Sequence, residues 1–299
     1  MKKFAIRVLF LATLMAFVDF LVGVSCRFLQ THAKGGDTER MMYIADNMKE
    51  ELLIFGSSRA IHHYDPRILE DSLGLSCYNC GRDGNGIIFS YGMYRFFRDR
   101  HKPRLIICDI QPNFDLEEQH NNEKYLEWLR SFYDRPGIDS IFWSVDATER
   151  WKMQCQMRRY NERFVQMASD CYRPQQNDIK GFRPLQGVMS YEPKRNATEE
   201  KEYKYDELKM EYWRRLIHDC KAHGTKLVLM VSPVYHGGSP EVFTPIKELA
   251  RREGIPFLYY YDDPAISNER RYFTDSVHMN EEGATAYTRE IIAAIRKYL

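Results

Sequence analysis

One stretch of ten residues, 51–60 with the sequence ELLIFGSSRA, constrains the fold of this chain more than any other. The apolar run 52–55 predicts a short buried strand, and the glycine and two serines that follow predict a tight turn. A strand that leads straight into such a turn is typical of α/β proteins, in which ligands collect at the carboxyl ends of parallel strands. If Ser58 is a nucleophile, the rest of the chain has to supply a base, an orienting acid and oxyanion donors.

Further segments repeat this strand–loop–helix pattern along the chain. Apolar runs predict strands at 76–79, 103–110, 226–232 and 256–260. Helices are predicted at 65–73, from the end of the glycine-rich stretch 79–86 to about residue 100, and at 201–222, 240–252 and 281–298. Asp65 and Asn280 are suitable N-caps, and Gly74 is a suitable helix end. The repetition predicts a parallel sheet with helices on both faces.

The N-terminus has the pattern of a membrane segment. Residues 8–24 are apolar except for Thr13 and Asp19, with basic residues at positions 2, 3, 7 and 27. Roughly 20 apolar residues suffice to cross a bilayer, and the basic start predicts that this end stays in the cytoplasm. A carboxylate at the centre of such a helix costs about 2.5–3.5 kcal/mol on insertion scales, which the remaining apolar residues can offset.

Three fates of this segment are open. We favour an uncleaved signal anchor over a cleaved signal peptide. Lipidation at Cys26 is less favoured, because Gly23-Val24-Ser25 lacks the usual leucine three residues before the cysteine. The predicted organisation is an anchor at 1–28, a polar stem at 29–50 and a globular domain at 51–299, which lies outside the cytoplasm.

The strand–helix pattern breaks down between residues 116 and 200. This stretch is rich in Arg, Tyr, Trp, Met and Gln, with helices predicted near 122–132 and 146–170. An insertion between sheet elements often forms a lid or a substrate wall, and packing on the sheet edge is an equally good interpretation.

Charge and cysteine content limit the classes of function. A net charge of +1 gives no electrostatic reason to expect nucleic acid as a partner. Seven cysteines include Cys77-x-x-Cys80, but no second pair completes a zinc site, so we expect neither metal nor cofactor. Cys77 and Cys108 lie in apolar runs and are predicted to be buried. Export would permit disulfides, although an odd number leaves at least one cysteine without an intramolecular partner.

The remaining parts of a serine-nucleophile site occur in a consistent order. Asp275 and His278 are three residues apart just before the last helix, so the carboxylate can orient the imidazole. The backbone N–H groups of Ser58 and Gly84 and the side-chain amide of Asn113 follow predicted strands and can serve as oxyanion donors. Each signal is weak alone, because such turns, caps and Asp-x-x-His pairs are common; their order gives them weight.

His236 is a separate candidate after the fourth predicted strand. It could reach the same edge of the sheet, but a role as an ordinary loop residue is the favoured interpretation.

The order of these motifs resembles the SGNH (GDSL-like) hydrolase family. Gly56-Ser57-Ser58 is similar to the first family block, Gly-Asp-Ser, with Ser57 in place of the aspartate. The second-block glycine matches Gly84, with Gly81 as the fallback.

The other two blocks match less evenly. Asn113 corresponds to the third-block asparagine of Gly-x-Asn-Asp, although Gln111 stands where the glycine is usual. The last block, Asp-x-x-His, is Asp275-Ser-Val-His278. The resemblance covers about residues 50–115 and 225–299 and leaves the 116–200 insertion unexplained.

The resemblance implies a flavodoxin-like three-layer α/β/α sandwich and a Ser58–His278–Asp275 mechanism that cleaves or transfers acyl esters. Oxyanion donors would be Ser58, Gly84 and Asn113. The Gly-Ser-Ser-Arg variant with a membrane segment resembles bacterial envelope members, some of which act on O-acylated sugars. We therefore expect an envelope esterase that removes acyl groups, acetyl first, from a glycan or another ester substrate.

Two other functions fit the same residues. An O-acyltransferase would use the same triad and replace water by a sugar hydroxyl. A non-catalytic binding or assembly module would keep the fold alone, a reading that the altered first and third blocks favour. Acyl length, acceptor and oligomeric state are not determined by the sequence.

Overall fold

The structure is a computed structural model that describes residues 1–119, 121–161, 163–176, 178–193 and 202–299. Five strands form the sheet: β1 Leu52–Phe55, β2 Cys77–Asn79, β3 Leu105–Asp109, β4 Lys226–Val231 and β5 Phe257–Tyr259. The α-helices are α1 Lys2–Thr31, α2 Gly36–Met42, α3 Ser58–His63, α4 Pro66–Leu73, α5 Ile87–Phe97, α6 Pro112–Asp115, α7 Asp139–Val145, α8 Glu149–Lys152, α9 Gln156–Tyr160, α10 Phe164–Tyr172, α11 Glu207–His223, α12 Thr244–Glu253, α13 Pro264–Ser267 and α14 Glu281–Arg296. A π-helix covers Tyr43–Asn47, and 3₁₀ helices cover Glu123–Phe132, Pro240–Phe243 and Arg270–Tyr272.

The sheet is parallel throughout and has the strand order β2-β1-β3-β4-β5. This is the flavodoxin-like order, in which the chain reverses direction next to β1 and leaves a crevice at the carboxyl ends of β1 and β3. The predicted parallel sheet with flanking helices is confirmed. Ser58 and Gln111 follow β1 and β3 and therefore lie at that crevice.

Alternate strand residues pack against helices on opposite faces of the sheet. Leu52 and Ile54 belong to a buried cluster that includes Tyr287 and Ile291 of α14. On the other face, Phe55 approaches the ring of Phe97 in α5. β1, β2, β3 and all but the first residue of β4 are buried on both faces, which explains why they appear in the sequence as continuous apolar runs, whereas the edge strand β5 is partly exposed.

The helix ends that the sequence predicts from capping residues are confirmed. Asp65 accepts a hydrogen bond from the Arg67 backbone N–H at 2.9 Å and begins α4. Gly74 ends that helix with φ of +69°, a conformation that glycine adopts without strain. Asn280 accepts from the Gly283 N–H at 3.0 Å and begins α14.

Other predicted boundaries were wrong. The helix predicted at 201–222 begins at Glu207, and residue 201 lies outside the described residues. The helix predicted near 122–132 has the expected bounds, Glu123–Phe132, but is a 3₁₀ helix. The helix predicted over 146–170 is broken into α8, α9 and α10. Its first break lies at Cys155, because the next two backbone N–H groups donate to the Asp19 carboxylate and not to helical carbonyls.

The described chain divides into two compact units. One consists of Met1–Asn47 and Leu126–Asn177, and the other of Met48–Tyr125 and Asp178–Leu299, which contains the sheet. The predicted organisation into anchor, stem and globular domain stays a prediction. The stretch predicted as a polar stem carries α2 and the π-helix, in which Met41 and Ile44 are buried.

Within the first unit, α1 packs on helices of the inserted segment. Cys26 and Leu29 form a buried cluster with Tyr160, Met167 and Cys171. By its length and apolar composition α1 could cross a membrane, although a signal sequence would satisfy the same criteria.

The seven cysteines are free thiols in the structure. Cys77 and Cys108 are buried among the sheet residues, as the sequence predicts, and Cys155 is exposed.

Gly56, between β1 and Ser58, is predicted to be the least replaceable glycine of the site. Its φ is +139°, and a Cβ there would lie 2.6 Å from the Asp109 carbonyl oxygen and 2.9 Å from the Ala60 Cβ. We expect Gly56→Ala to lower the free energy of unfolding by about 4 kcal/mol, from backbone strain and overpacking together. Urea denaturation of the full chain in detergent measures this loss.

Gly74→Ala is the matched control, because Gly74 also has a positive φ but faces open space. It should cost only the left-handed backbone penalty of about 1–2 kcal/mol. Equal losses in the two variants would contradict the close approach at Gly56.

Candidate active site

The structure brings Ser58, His278 and Asp275 into one hydrogen-bonded chain. Ser58 begins α3, directly after the β1 turn, and its Oγ lies 2.8 Å from His278 Nε2. His278 Nδ1 lies 2.9 Å from Asp275 Oδ2 and 3.1 Å from Oδ1. The carboxylate requires a proton on Nδ1, so Nε2 of a neutral imidazole is free to accept the proton of Ser58.

The Asp275 loop is shaped by its own carboxylate. Partial burial alone would raise the pKa of Asp275, but hydrogen bonds from His278 Nδ1 and from the backbone N–H groups of Val277 and His278 lower that pKa to about 2. The two backbone bonds measure 2.7 and 2.8 Å. The carboxyl group is therefore ionised at neutral pH, and its orientation toward the imidazole is fixed by three donors.

A second histidine holds the chain immediately after His278. The fully buried His63 accepts the Met279 backbone N–H at Nε2 over 3.0 Å, so its proton lies on Nδ1 and donates to Ser232 Oγ at 3.0 Å. Burial, followed by the charge of Arg59, keeps the pKa of His63 well below its ordinary value. A neutral imidazole thus joins α3, the end of β4 and the His278 loop.

Below the site, a buried ion pair links three strand ends. Arg59 Nε lies 3.4 Å from Asp109 Oδ2, and both side chains are almost inaccessible. Asp109 Oδ1 accepts hydrogen bonds from Tyr64 Oη at 2.9 Å and from the Ser232 N–H at 2.8 Å. Arg59 also donates to the carbonyl oxygens of Ile110 and Ser232.

Of the predicted oxyanion donors, Gly84 lies in the turn after β2 and Asn113 lies in α6. Gly84 has a φ of +68° and open space where a Cβ would stand. The fallback, Gly81, already donates its N–H to Asn79 Oδ1 at 2.9 Å. The Asn113 carbonyl oxygen accepts from Lys209 Nζ at 3.2 Å.

The amide that contacts the serines is that of Gln111, which sequence reasoning treated only as a departure from the family pattern. Its Oε1 lies 3.3 Å from Ser58 Oγ and accepts a hydrogen bond from Ser57 Oγ. The Gln111 backbone N–H donates to Asp115 Oδ2 at 2.7 Å. The sequence did contain a signal for this residue, because Gln111 lies two residues after the end of β3, at the crevice edge.

Two other histidines lie around the site. His62 is one helical turn from Ser58, and its ring meets that of His278 edge-on at 5.8 Å. Its Nε2 lies 3.0 Å from Asp83 Oδ1. His236 packs on Tyr235 and lies 3.0 Å from Glu192, which agrees with its interpretation as a loop residue.

Comparison with known proteins gives distant structural likeness only. No family model matches the chain, and no curated protein matches it in sequence. The chain is similar in structure to a provisionally named acylhydrolase from Bacteroides fragilis, with 12% identity, a TM-score of 0.40, and coverage of 87% of this chain and 97% of that one. A GDSL-like lipase from Bacteroides thetaiotaomicron gives 12% identity and a TM-score of 0.38, with coverage of 83% of this chain and 89% of that one.

A third similar structure is a protein provisionally named platelet activating factor from Streptococcus pneumonia. Its identity is 13% and its TM-score 0.37, with coverage of 97% of this chain and 99% of that one. At this distance the likenesses carry no functional argument. The site has to be judged from its own geometry.

The buried neutral His63 predicts acid sensitivity of the fold. The unfolded chain takes up a proton at this residue below about pH 6.5, whereas the folded chain does not, so stability falls as the pH falls. His63→Asn should remove up to about 1.4 kcal/mol per pH unit from the slope of unfolding free energy between pH 6.5 and 5. Urea denaturation at several pH values measures that slope.

His218→Asn provides the control, because the His218 side chain is exposed and its contact is with the neighbouring Asp219 carboxylate. It should leave the slope as in the natural chain. If the unfolding free energy of His63→Asn fell with pH as steeply as that of the natural chain, the neutral state of His63 would be disproved.

Proposed function

We propose that this chain is a membrane-anchored serine esterase of the SGNH (GDSL-like) type. The observation that carries the proposal is the hydrogen-bonded chain from Ser58 Oγ through His278 to the Asp275 carboxylate. This is the arrangement that nucleophilic acyl transfer requires: a hydroxyl, a base within hydrogen-bond reach, and an acid that fixes the tautomer of the base.

The proposed reaction has two halves. Ser58 Oγ attacks the ester carbonyl carbon while His278 Nε2 takes the hydroxyl proton, and His278 then returns that proton to the leaving alcohol. Water attacks the resulting acyl-serine with His278 again as the base, which releases the acid and the free serine. Asp275 stabilises the imidazolium in both halves through Nδ1.

The proposed oxyanion donors are the backbone N–H groups of Ser58 and Gly84 and the side-chain amide of Asn113. Gln111 is a further candidate. Gln111 Oε1 faces both serines in the structure, so its amide can donate to Ser58 Oγ only after a rotation that brings Nε2 to that position. The same rotation turns the Ser57 hydroxyl from a donor into an acceptor. The amide is a candidate donor because its end lies 3.3 Å from Ser58 Oγ, the atom to which the acyl group would be bonded.

The substrate and location in this proposal follow from the sequence. The resemblance favours an acyl ester, acetyl first, on an envelope glycan. The basic residues in the first two turns of α1 favour an anchor whose N-terminus is cytoplasmic and whose catalytic unit lies on the outer side.

Ser58→Ala and His278→Ala should each lower p-nitrophenyl acetate turnover by about 10³-fold or more, because each removes a member of one catalytic unit. The full chain in detergent is the right material, since Cys26 and Leu29 of α1 are buried against the inserted helices. Fluorophosphonate labelling at Ser58 gives a second readout that needs no acceptor.

Ser57→Ala is the matched control, because Ser57 is the adjacent serine and also contacts Gln111. It should keep its labelling and most of its turnover. Full turnover in Ser58→Ala would disprove the mechanism. Labelling of the natural chain without turnover would instead indicate an acyltransferase that lacks its acceptor.

The oxyanion assignment is tested by two amide replacements. If Asn113 is a donor, Asn113→Ala should lower kcat by about 10²-fold while KM changes little; if Gln111 is the donor, Gln111→Met should do so. Steady-state kinetics on both variants, with fluorophosphonate labelling as a check of the nucleophile, separates the two. If neither variant lost activity, only the backbone N–H groups would remain as oxyanion donors.

A further inference from the structure

We propose that the inserted helices α8–α10 form a second membrane-contacting surface, which lies in the headgroup and upper acyl region of the bilayer beside α1. The inference rests on the membrane span proposed for α1 and goes beyond the esterase site. It follows from where along α1 these helices are attached and from which of their side chains are exposed.

The attachment point is the Asp19 carboxylate. Oδ2 accepts the Gln156 backbone N–H at 2.8 Å, and Oδ1 accepts the Met157 N–H at 2.8 Å and the Cys155 thiol at 3.1 Å. One turn further on, Gly23 lies so close to Gln156 that a Cβ would stand 2.7 Å from the Gln156 Cγ. The start of α9 is therefore fixed to α1 at the level of residues 19–23.

That level lies inside the apolar span. Residues 4–18 cover about 22 Å at 1.5 Å per residue, whereas the hydrocarbon core of a bilayer is about 30 Å thick. About five more residues of α1, which reach Gly23, have to lie within the apolar layer or at its edge. A span that starts at Arg7 would place this level deeper still.

The polar groups at this level are hydrogen-bonded to one another, as a medium with little water requires. The backbone N–H groups at the start of α9 are satisfied by Asp19, and the carboxylate is satisfied by them in turn. Non-helical backbone at membrane depth is tolerated where the protein itself supplies the hydrogen bonds. The contact thus removes both the cost of an isolated carboxylate and that of the free helix end.

Several outward side chains of the same helices are large and apolar. Met157 is 53% exposed, Phe164 51%, Val165 78% and Trp151 74%. Met167 and Cys171, on the other side of α10, are buried against α1. An exposed apolar face that continues an apolar membrane helix matches the lipid boundary, where Trp and Phe are favoured.

One cation of this surface is placed for a lipid partner. Most other basic side chains of the segment pair with carboxylates of the protein, as Arg159 does with Asp134 and Arg163 with Glu127. The Arg150 guanidinium lies over the Trp143 and Trp151 rings, at 5.4 and 5.5 Å from their centroids. Aromatic rings paired with a cation suit the region between headgroups and acyl chains.

The contacts also imply that the two ends of α10 lie at different depths in the bilayer. Its far end is attached higher on α1, where the Cys171 thiol donates to the His32 carbonyl oxygen at 3.4 Å. His32 lies about 20 Å along the helix axis from Asp19. Tyr172, which is 72% exposed, should therefore lie in water, whereas Met157 and Val165 should lie in lipid.

The test uses the full chain in vesicles of phosphatidylcholine and phosphatidylglycerol, with an environment-sensitive fluorophore on one introduced cysteine at a time. Cys155→Ser removes the exposed native thiol and retains a hydroxyl that can donate to Asp19. Probes at Met157→Cys and Val165→Cys should be blue-shifted and quenched by acyl-chain spin-labelled lipid at least about twofold more than the matched probe at Tyr172→Cys.

A probe at Leu11→Cys separates failure of this inference from failure of the span. Quenching at position 11 with none above the Tyr172→Cys level at 157 and 165 would overturn the membrane surface and leave the anchor intact. No quenching at position 11 would overturn the span and the surface together. Esterase turnover of each labelled variant, measured in parallel, tests the proposed function independently of either result.

Discussion

The buried carboxylate of Asp109, at the end of the central strand β3, holds the parts of the candidate site together. It accepts from Tyr64 and from the Ser232 backbone and pairs with Arg59, so it joins the chain after β1, β3 and β4. Removing one partner of a buried ion pair typically costs about 3–5 kcal/mol, because the other charge is left uncompensated. Arg59 directly follows Ser58, so the position of Ser58 depends on a charge pair that is shielded from solvent.

Sequence reasoning identified the parts of this structure that are encoded locally. The β1 turn, the caps of α4 and the Asp275-x-x-His278 loop are each set within a few residues, and each was predicted. The pairs that bring them together were not predicted: Arg59 with Asp109, and His63 with the Met279 N–H. These join residues that are distant in sequence, and no local pattern states which buried histidine or arginine will meet which partner.

Asp19 shows that a local pattern can also suggest a cost that distant contacts remove. Considered within its own helix, it is a costly carboxylate in an apolar span. The structure supplies three donors from a segment more than a hundred residues away, which the sequence suggested only as a lid, a substrate wall or edge packing. The predicted long helix over that segment failed for the same reason, because the Gln156 and Met157 N–H groups bond to Asp19 and not to a preceding turn.

The two departures from the SGNH pattern contact each other. Ser57 stands where the family has aspartate and Gln111 where it has glycine, and the Ser57 hydroxyl donates to Gln111 Oε1. A glycine at position 111 would leave the buried Ser57 hydroxyl without this acceptor. The serine at position 57 is therefore matched to the glutamine at position 111, while Ser58, Asp275 and His278 stay within hydrogen-bond reach. One contact thus accounts for both departures, so the two altered blocks are not independent arguments for a non-catalytic binding or assembly module.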